Sequence, residues 1–178
     1  PAAFGIVAPN GKEAMVQHAR ELRDAGVPFI FDPGQGLPMF DGEELRALLG
    51  SASAVAVNDY ESSLLCDRTG WSEDEIAAQL DALIVTRGAQ GAQVWSEGTS
   101  TPVPAVAVHR TVDPTGCGDA FRGGLLYGIS QGWNWVESAR LGSVLGAMKI
   151  ECQGPQNHIV EREAVAQRFE RAWGRRPW

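Results

Sequence analysis

Apolar and polar positions along the chain form two kinds of segment. Short apolar runs, of the length of buried strands and bounded by turn-forming residues, lie at 4–8, 28–32, 54–57 and 83–86. After the first run, apolar residues recur at three- and four-residue spacings over 11–26, which predicts a helix that stops at Gly26. Strands that alternate with helices of this length predict βαβ units and a parallel sheet.

Further along the chain, two pairs of residues mark the starts of helices. Asp41 with Glu44, and Ser72 with Glu75, have the spacing of a capping box, in which each side chain bonds the other residue's backbone N–H. Additional short strands are predicted at 93–96 and 103–108, a helix follows the strand at 54–57 over 59–66, and the C-terminal third is predicted to be helical at 118–130, 135–151 and 161–173. The pattern predicts one α/β layer structure without repeats or linkers.

Composition narrows the class of protein. At 178 residues with 44% hydrophobic and 21% charged residues, the chain has the size and composition of one globular domain. The net charge of −7 argues against a nucleic-acid-binding surface, and no apolar run approaches the length that would cross a membrane. Three scattered cysteines, Cys66, Cys117 and Cys152, form neither a disulfide framework nor a zinc site, which favours a reducing, cytoplasmic location.

The strongest chemical signal is the segment from Asp113 to Gly124, which reads Asp-Pro-Thr-Gly-Cys-Gly-Asp-Ala-Phe-Arg-Gly-Gly. Small residues at 116–118 allow a tight turn whose backbone N–H groups bind an anion at a helix N-terminus. Asp119, in the first turn, is placed to accept a proton from a substrate hydroxyl. Gly123 and Gly124 predict close packing of this helix on the sheet. The alternative interpretation is an ordinary helix start with acidic first-turn residues.

Two other segments follow predicted strands, where ligands bind in open parallel sheets. Asn58 and Glu61 share one helix face and offer oxygen ligands suited to Mg²⁺, but taken alone the pair is more typical of an Asn cap with a first-turn Glu. The stretch from Thr86 to Gly91 is either a nucleotide-binding loop or a plain turn between strands.

Taken together and in this order, the three segments resemble the motifs of the ribokinase-like (PfkB) family of carbohydrate and nucleoside kinases. The resemblance rests on Asp113-Pro-Thr-Gly-Cys-Gly-Asp119, Asn58-x-x-Glu61 and Thr86-x-Gly88-x-x-Gly91. The sequence around these motifs is similar to that of bacterial adenosine kinases. It includes Thr69-Gly-Trp-Ser and Gln156 after Gly154-Pro155. The resemblance implies a three-layer α/β/α fold and ATP-dependent transfer of a phosphoryl group to a hydroxymethyl group, with adenosine as the first acceptor and ribose or fructose as the second.

The resemblance also implies roles for individual residues. Asp119 would be the catalytic base, with the amides of Gly116, Cys117 and Gly118 as the anion hole. Asn58 and Glu61 would position Mg²⁺ and its waters, and the ATP site would run along Thr86, Gly88 and Gly91. Asp113 and Thr115 match positions that help bind a monovalent cation such as K⁺ in some members. Cys117 departs from the smaller or apolar residue usual in the family, and an exposed thiol there would make the site sensitive to oxidation.

Whole members of this family are considerably longer than this chain, which starts without Met directly on a predicted strand. We therefore expect residues 1–178 to be the C-terminal portion of a single kinase domain, without the N-terminal strands, the lid and most sugar contacts. The expected partner is a small-molecule nucleoside or sugar, and a homodimer remains open because truncation exposes a strand edge near 4–8. The rival interpretation is a noncatalytic nucleotide-binding or assembly module. A nicotinamide-dinucleotide-binding domain is disfavoured, because no glycine fingerprint follows the first strand.

Overall fold

The computed structural model describes residues 4–178, and this part of the chain divides into two compact units. The first unit extends to Arg87 and includes Gln93–Thr101. The second comprises Gly88–Ala92 and Pro102–Trp178. Among the described residues, no helix combines the length and the apolar composition needed to cross a membrane.

The first unit contains the sheet and alternates strands with helices. In chain order the elements are β1 (Gly5–Val7), α1 (Lys12–Asp24), β2 (Phe29–Phe31), a 3-10 helix (Gly34–Met39), α2 (Gly42–Leu49), β3 (Ala54–Asn58), α3 (Asp59–Thr69), α4 (Glu73–Ala77), β4 (Ala82–Thr86), β5 (Ala92–Ser96) and β6 (Thr99–Val103). A second 3-10 helix, Gly88–Gln90, joins β4 to β5 and is assigned to the second unit.

The sheet has the strand order β1-β2-β3-β4-β5-β6, and its first three pairings are parallel. The longest of these registers, between β3 and β4, runs from Ala54 opposite Ala82 to Asn58 opposite Thr86. The central strands are buried on both faces, which explains their continuous apolar runs. The predicted α/β class and mostly parallel sheet are confirmed.

Sequence signals at the helix ends are confirmed as well. The amide of Glu44 donates to the Asp41 carboxylate at 2.9 Å, and the amide of Glu75 donates to the Ser72 hydroxyl at 3.3 Å. In both cases the glutamate returns a bond to the amide of the capping residue, which completes the capping box. Gly26 lies just past α1 with φ of +65°, as expected of a helix stop.

The strand predicted at 103–108 is wrong. Glu97 and Gly98 both have positive φ, 52° and 71°, and form a two-residue turn that returns the chain as β6 directly after β5. The hairpin therefore fixes the start of β6 at Thr99, four residues earlier than predicted. The strand ends at Val103, where Pro104 has no N–H to continue a ladder.

The second unit is helical, with α5 (Cys117–Ser130), α6 (Trp135–Ile150) and α7 (Arg162–Trp173). Its core contains Leu141 and Val144 from α6 with Val165 and Phe169 from α7, all buried. These helices match the three predicted in the C-terminal third to within one residue at each end. The motif from Asp113 to Asp119 leads into α5, so the packing of this unit decides how that motif is presented.

Candidate active site

Helix α5 starts on a glycine that the local geometry requires. Gly116 is its N-cap residue and has φ of +82°, a left-handed conformation that side-chain-bearing residues rarely adopt. A Cβ at this position would lie 2.6 Å from the carbonyl oxygen of Pro155, in the loop after α6. The turn is therefore both left-handed and pressed against a second loop, which fixes the direction in which α5 begins.

No side chain caps the backbone amides in the first turn of α5. Gly116 has no side chain to cap them, and the first bond of the helical ladder joins the Ala120 amide to the Gly116 carbonyl at 2.9 Å. The Cys117 amide donates instead to the Pro114 carbonyl at 3.1 Å. The amides of Gly118 and Asp119, which precede the first ladder bond, are thus better suited to an anion than that of Cys117. The positive end of the helix dipole adds to the attraction.

Asp119 stands in this first turn and is exposed. With Gly116, it lines a cavity of about 610 Å³ in the second unit. The other lining residues are Ala120, Gly123, Tyr127, Leu141, Leu145, Pro155, Gln156, His158, Val160, Arg162, Val165 and Trp178. The wall is mostly apolar with a few convergent polar groups, as is usual for small-molecule sites. A ligand in the cavity can therefore reach both the Asp119 carboxylate and the start of α5.

The Asp113 carboxylate stabilises the turn before α5 through hydrogen bonds. One of its carboxylate oxygens accepts the Thr115 amide at 2.9 Å, and the other accepts the Gly154 amide at 2.8 Å and the Gln153 side-chain amide at 3.1 Å. The bond from the Thr115 amide is the main reason that the pKa of Asp113 is lowered, with further help from Gly154 and the nearby Lys149 charge. Asp113 therefore remains ionised and holds the motif to the loop after α6.

Glycines hold α5 closely against α6. A Cβ at Gly124 would lie 2.7 Å from the Cα of Gly142, and one at Gly142 would lie 2.7 Å from the carbonyl of Phe121. Further along, Gly128 faces Ser138 in the same way. The predicted packing of Gly123 and Gly124 on the sheet is wrong, because Gly124 packs on α6. A Cβ at Gly123 would meet open space, and that residue lines the cavity.

The thiol of Cys117 is half-buried, and its Sγ lies 3.9 Å from the carbonyl of Asp113. Burial raises the pKa of this thiol, which the nearby Lys149 charge only partly opposes. The thiolate is the reactive form of cysteine, so this environment works against the oxidation sensitivity predicted from the sequence.

In the first unit, three predicted residues meet at the carboxyl end of the sheet. Asn58 ends β3 directly opposite Thr86 of β4. The Asn58 side chain accepts the Glu61 amide at 2.8 Å, and the Glu61 carboxylate accepts the Asn58 amide at 2.9 Å. The alternative of an Asn cap with a first-turn Glu is thus present as a full capping box. The Thr86 hydroxyl donates to the Val57 carbonyl at 3.4 Å.

This arrangement still fits a magnesium ion. Mg²⁺ keeps most of its waters in nucleotide sites and needs only one or two protein carboxylates in addition to the phosphates. An ionised carboxylate has about four acceptor positions, and the capping box uses one of those on Glu61. Within residues 4–178 no group of three or more acidic, histidine or cysteine side chains could hold a metal by itself.

Gly88 and Gly91 are the remaining residues predicted along the nucleotide. Gly88 is the first residue of the short 3-10 helix between β4 and β5, and Gly91 directly follows that helix. Gly91 has φ of +91°, and a Cβ there would lie 2.1 Å from the carbonyl of Val103. The glycine at this position is required by the close approach of two backbones. A Cβ at Gly88 would meet nothing within 4 Å, so space alone does not explain that residue.

The groups predicted to bind a monovalent cation already have partners. The Asp113 carbonyl accepts the ammonium of Lys149 at 2.9 Å, and the Asp113 carboxylate is occupied by the two loop amides and Gln153. The Thr115 amide is one of those donors. The donor set at Asp113 and Thr115 therefore does not fit a bound K⁺ in addition to Lys149.

Polar residues at the carboxyl edge of a parallel sheet are typical of α/β proteins that bind phosphorylated ligands, and so is a glycine-capped helix start beside an exposed carboxylate. A family model described as "pfkB family carbohydrate kinase" matches residues 2–162. The chain belongs to this family, and its fold is the ribokinase-like α/β fold.

Several relatives share this fold. The nucleoside kinase of Burkholderia thailandensis, solved in complex with inosine, is 56% identical with a TM-score of 0.96, over 98% of this chain and 58% of that one. The nucleoside kinase of Methanocaldococcus jannaschii is 27% identical over 79% of this chain and 47% of its own length. The aminoimidazole riboside kinase of Salmonella typhimurium is 30% identical over 85% of this chain and 51% of its own length. The chain thus spans about half the length of the curated relatives it matches.

Sequence reasoning missed the loop after α6 as part of the site. Gln153, Gly154 and Pro155 contact the motif, and Lys149 lies beneath it. The Gly-Pro pair at 154–155 is a turn signal, but nothing in its spacing indicates that it returns to Asp113. These contacts join residues about forty positions apart and only become visible in the fold.

Proposed function

We propose that this chain is the C-terminal portion of a single kinase domain that transfers a phosphoryl group from ATP to the hydroxymethyl group of a nucleoside. The observation that carries the proposal is the start of α5, where the amides of Gly118 and Asp119 lie beside the exposed Asp119 carboxylate at a cavity. Phosphoryl transfer requires positioning and charge stabilisation more than covalent catalysis, and this arrangement supplies both.

In the proposed mechanism Asp119 accepts the proton of the acceptor hydroxyl as that oxygen attacks the γ-phosphorus of ATP, and the bond from this phosphorus to the β,γ-bridging oxygen breaks to release ADP. The amides of Gly118 and Asp119 donate hydrogen bonds to the transferring phosphoryl oxygens, and the dipole of α5 favours their negative charge. Asn58 and Glu61 would hold a hydrated Mg²⁺, which when bound would neutralise phosphate charge. Thr86, Gly88 and Gly91 border the nucleotide.

Purine nucleosides are the proposed acceptors. The support comes from the Burkholderia thailandensis nucleoside kinase, which shares 56% identity with this chain and was solved with inosine and in an ADP-inosine complex. The yeast adenosine kinase is 29% identical over 84% of this chain. Adenosine and inosine are therefore the first substrates to test, and a free sugar is the alternative because fructokinases are also among the relatives.

The test is a coupled ADP-release assay of the full-length protein with adenosine, inosine, ribose and fructose. We expect the specificity constant for one of the purine nucleosides to exceed that for either sugar by about two orders of magnitude or more, since a missing base removes its binding energy. Preference for ribose or fructose would assign a sugar kinase. No turnover on any acceptor, combined with measurable ATP binding by calorimetry, would instead support the noncatalytic nucleotide-binding module.

A further inference from the structure

Lys149 is a buried cation next to the anion site. It is the penultimate residue of α6, and its side chain is completely buried. Its Nζ donates to the backbone carbonyl of Asp113 at 2.9 Å and to that of Cys152 at 3.1 Å. A helix-end lysine is ordinarily exposed, so complete burial of the only lysine in the second unit requires an explanation.

Lys149 bonds backbone carbonyl oxygens, which are groups that proteins also use to bind metal ions. Burying an ammonium costs free energy unless its lost hydration is replaced, and here main-chain carbonyl oxygens replace it. Rings of carbonyl oxygens are also the groups with which proteins replace the hydration shell of K⁺. The ammonium and a bound monovalent cation are therefore equivalent in charge and in preferred partners.

The position of this charge is tied to the Gly116 turn. The Asp113 carbonyl that accepts Lys149 belongs to the residue whose carboxylate accepts the Thr115 and Gly154 amides. Lys149 thus connects the end of α6 to the start of the motif that leads into α5. Removing the ammonium would take a charged donor from two part-buried carbonyls and loosen the loop that sets the direction of α5.

We propose that the Nζ of Lys149 supplies the positive charge that stabilises the turn at Gly116, where α5 starts. The protein would then position its phosphate-binding amides without a monovalent metal ion. Where turnover is measured, the inference rests on the proposed kinase function. Its structural part, a turn organised by a covalently attached cation, is tested independently of turnover.

The first experiment uses the full-length protein in about 0.1 M KCl and in tetramethylammonium chloride of the same ionic strength, which equalises screening. We expect the thermal unfolding midpoint and the ADP affinity from calorimetry to be the same in both salts. A midpoint higher by about 4 °C or more in KCl, or about tenfold tighter ADP binding, would overturn the proposal.

The second experiment uses Lys149→Ala, which leaves space beside the two carbonyls. We expect K⁺, but not tetramethylammonium, to raise the unfolding midpoint and the ADP affinity of this variant. A variant with the wild-type ADP affinity and midpoint in both salts would contradict the role of Lys149. The matched control is Lys12→Ala, which removes the other lysine of this sequence, a partly exposed partner of Glu44, and should show no response specific to K⁺.

Two outcomes separate this inference from the proposed function. If the protein phosphorylates nothing, equal midpoints and ADP affinities in the two salts still support Lys149 as the internal cation. If it phosphorylates a nucleoside but K⁺ stimulates the wild-type rate about tenfold, the kinase function stands and the inference fails. Should Lys149→Ala not be recovered folded, the wild-type comparison between the two salts decides the question alone.

Discussion

Helices α3 and α5 begin in opposite ways, although each carries an acid three residues after its N-cap. In α3 the acid is Glu61, whose carboxylate bonds the amide of Asn58 at 2.9 Å while the Asn58 side chain caps the helix. In α5 the N-cap is Gly116, which offers no side chain, and the acid is Asp119, exposed at a cavity. The same spacing thus forms a capping box at one helix start and leaves the other without a side-chain cap.

The most damaging change should be Asp119→Asn. Asparagine keeps the size of the side chain but cannot take up the proton of the acceptor hydroxyl, so kcat should fall about 10²- to 10⁴-fold with little change in stability. Initial rates and calorimetric ATP binding in the full-length protein measure the two effects. Glu163→Gln, which removes an exposed first-turn carboxylate from α7, is the matched control and should leave kcat unchanged. Near-normal turnover of Asp119→Asn would remove the difference between the two helix starts.

Gly116→Ala should have the next largest effect, which is a loss of folding stability. Its Cβ would carry the strain of φ +82° and meet the Pro155 carbonyl at 2.6 Å, so we expect a loss of about 3 kcal/mol in the free energy of unfolding. Gly70→Ala, at the end of α3, is the control because Gly70 has φ of +71° but open space around its Cβ position. It should lose only about 1 kcal/mol in urea unfolding. Equal losses would show that the Pro155 contact is unimportant.

Acid should weaken the second unit through Glu151. Arg168 bonds this carboxylate in a bidentate pair at 2.7 and 2.8 Å, and mainly for that reason its pKa falls from the ordinary 4.5 to about 2. A lowered folded-state pKa stabilises the fold fully above pH 4.5 and progressively less as the pH falls toward 2. Glu151→Gln should therefore lose on the order of 2 kcal/mol at neutral pH and flatten the unfolding profile between pH 5 and 2. An unchanged profile would contradict this assignment.

The smallest effect is expected from Glu61→Gln. Glutamine can still bond the Asn58 amide and keep the capping box, but it lacks the charge that attracts Mg²⁺. The Mg²⁺ concentration for half-maximal rate should rise several-fold, by about 1 kcal/mol, while stability changes little. Glu44→Gln changes the same position of the capping box in α2 and should leave the Mg²⁺ dependence unaltered. If both variants respond alike, Glu61 serves only as a cap.

Local signals made much of this fold predictable. Capping pairs at Asp41, Asn58 and Ser72 each need only residues three apart, and all three are present in the structure. The strand predicted at 103–108 was wrong because the turn at Glu97 and Gly98, which sets where β6 begins, was not recognised. Sequence signals depend on a few adjacent residues. They do not predict where a strand begins when a turn earlier in the chain sets that position.

The candidate site was predictable in its residue types but only partly in its geometry. The motif placed Gly116 and Asp119 at a helix start, as the structure shows. The bond of the Cys117 amide to Pro114 depends on the detailed path of the turn, and the burial of Lys149 depends on how α6 packs. A lysine in the last turn of a helix usually indicates a favourable dipole interaction at the surface, so no local pattern identifies this one as internal.

The glycines between α5 and α6 have a consequence for protein engineering. Since the two backbones approach until a methyl group at Gly124 would overlap Gly142, a library that diversifies these positions would yield mostly nonfunctional clones. Variation has more freedom at Gly123, which lines the cavity and where an added side chain would have room. The backbone of α5 therefore separates a position at which the cavity wall can be varied from positions that the packing requires to stay glycine.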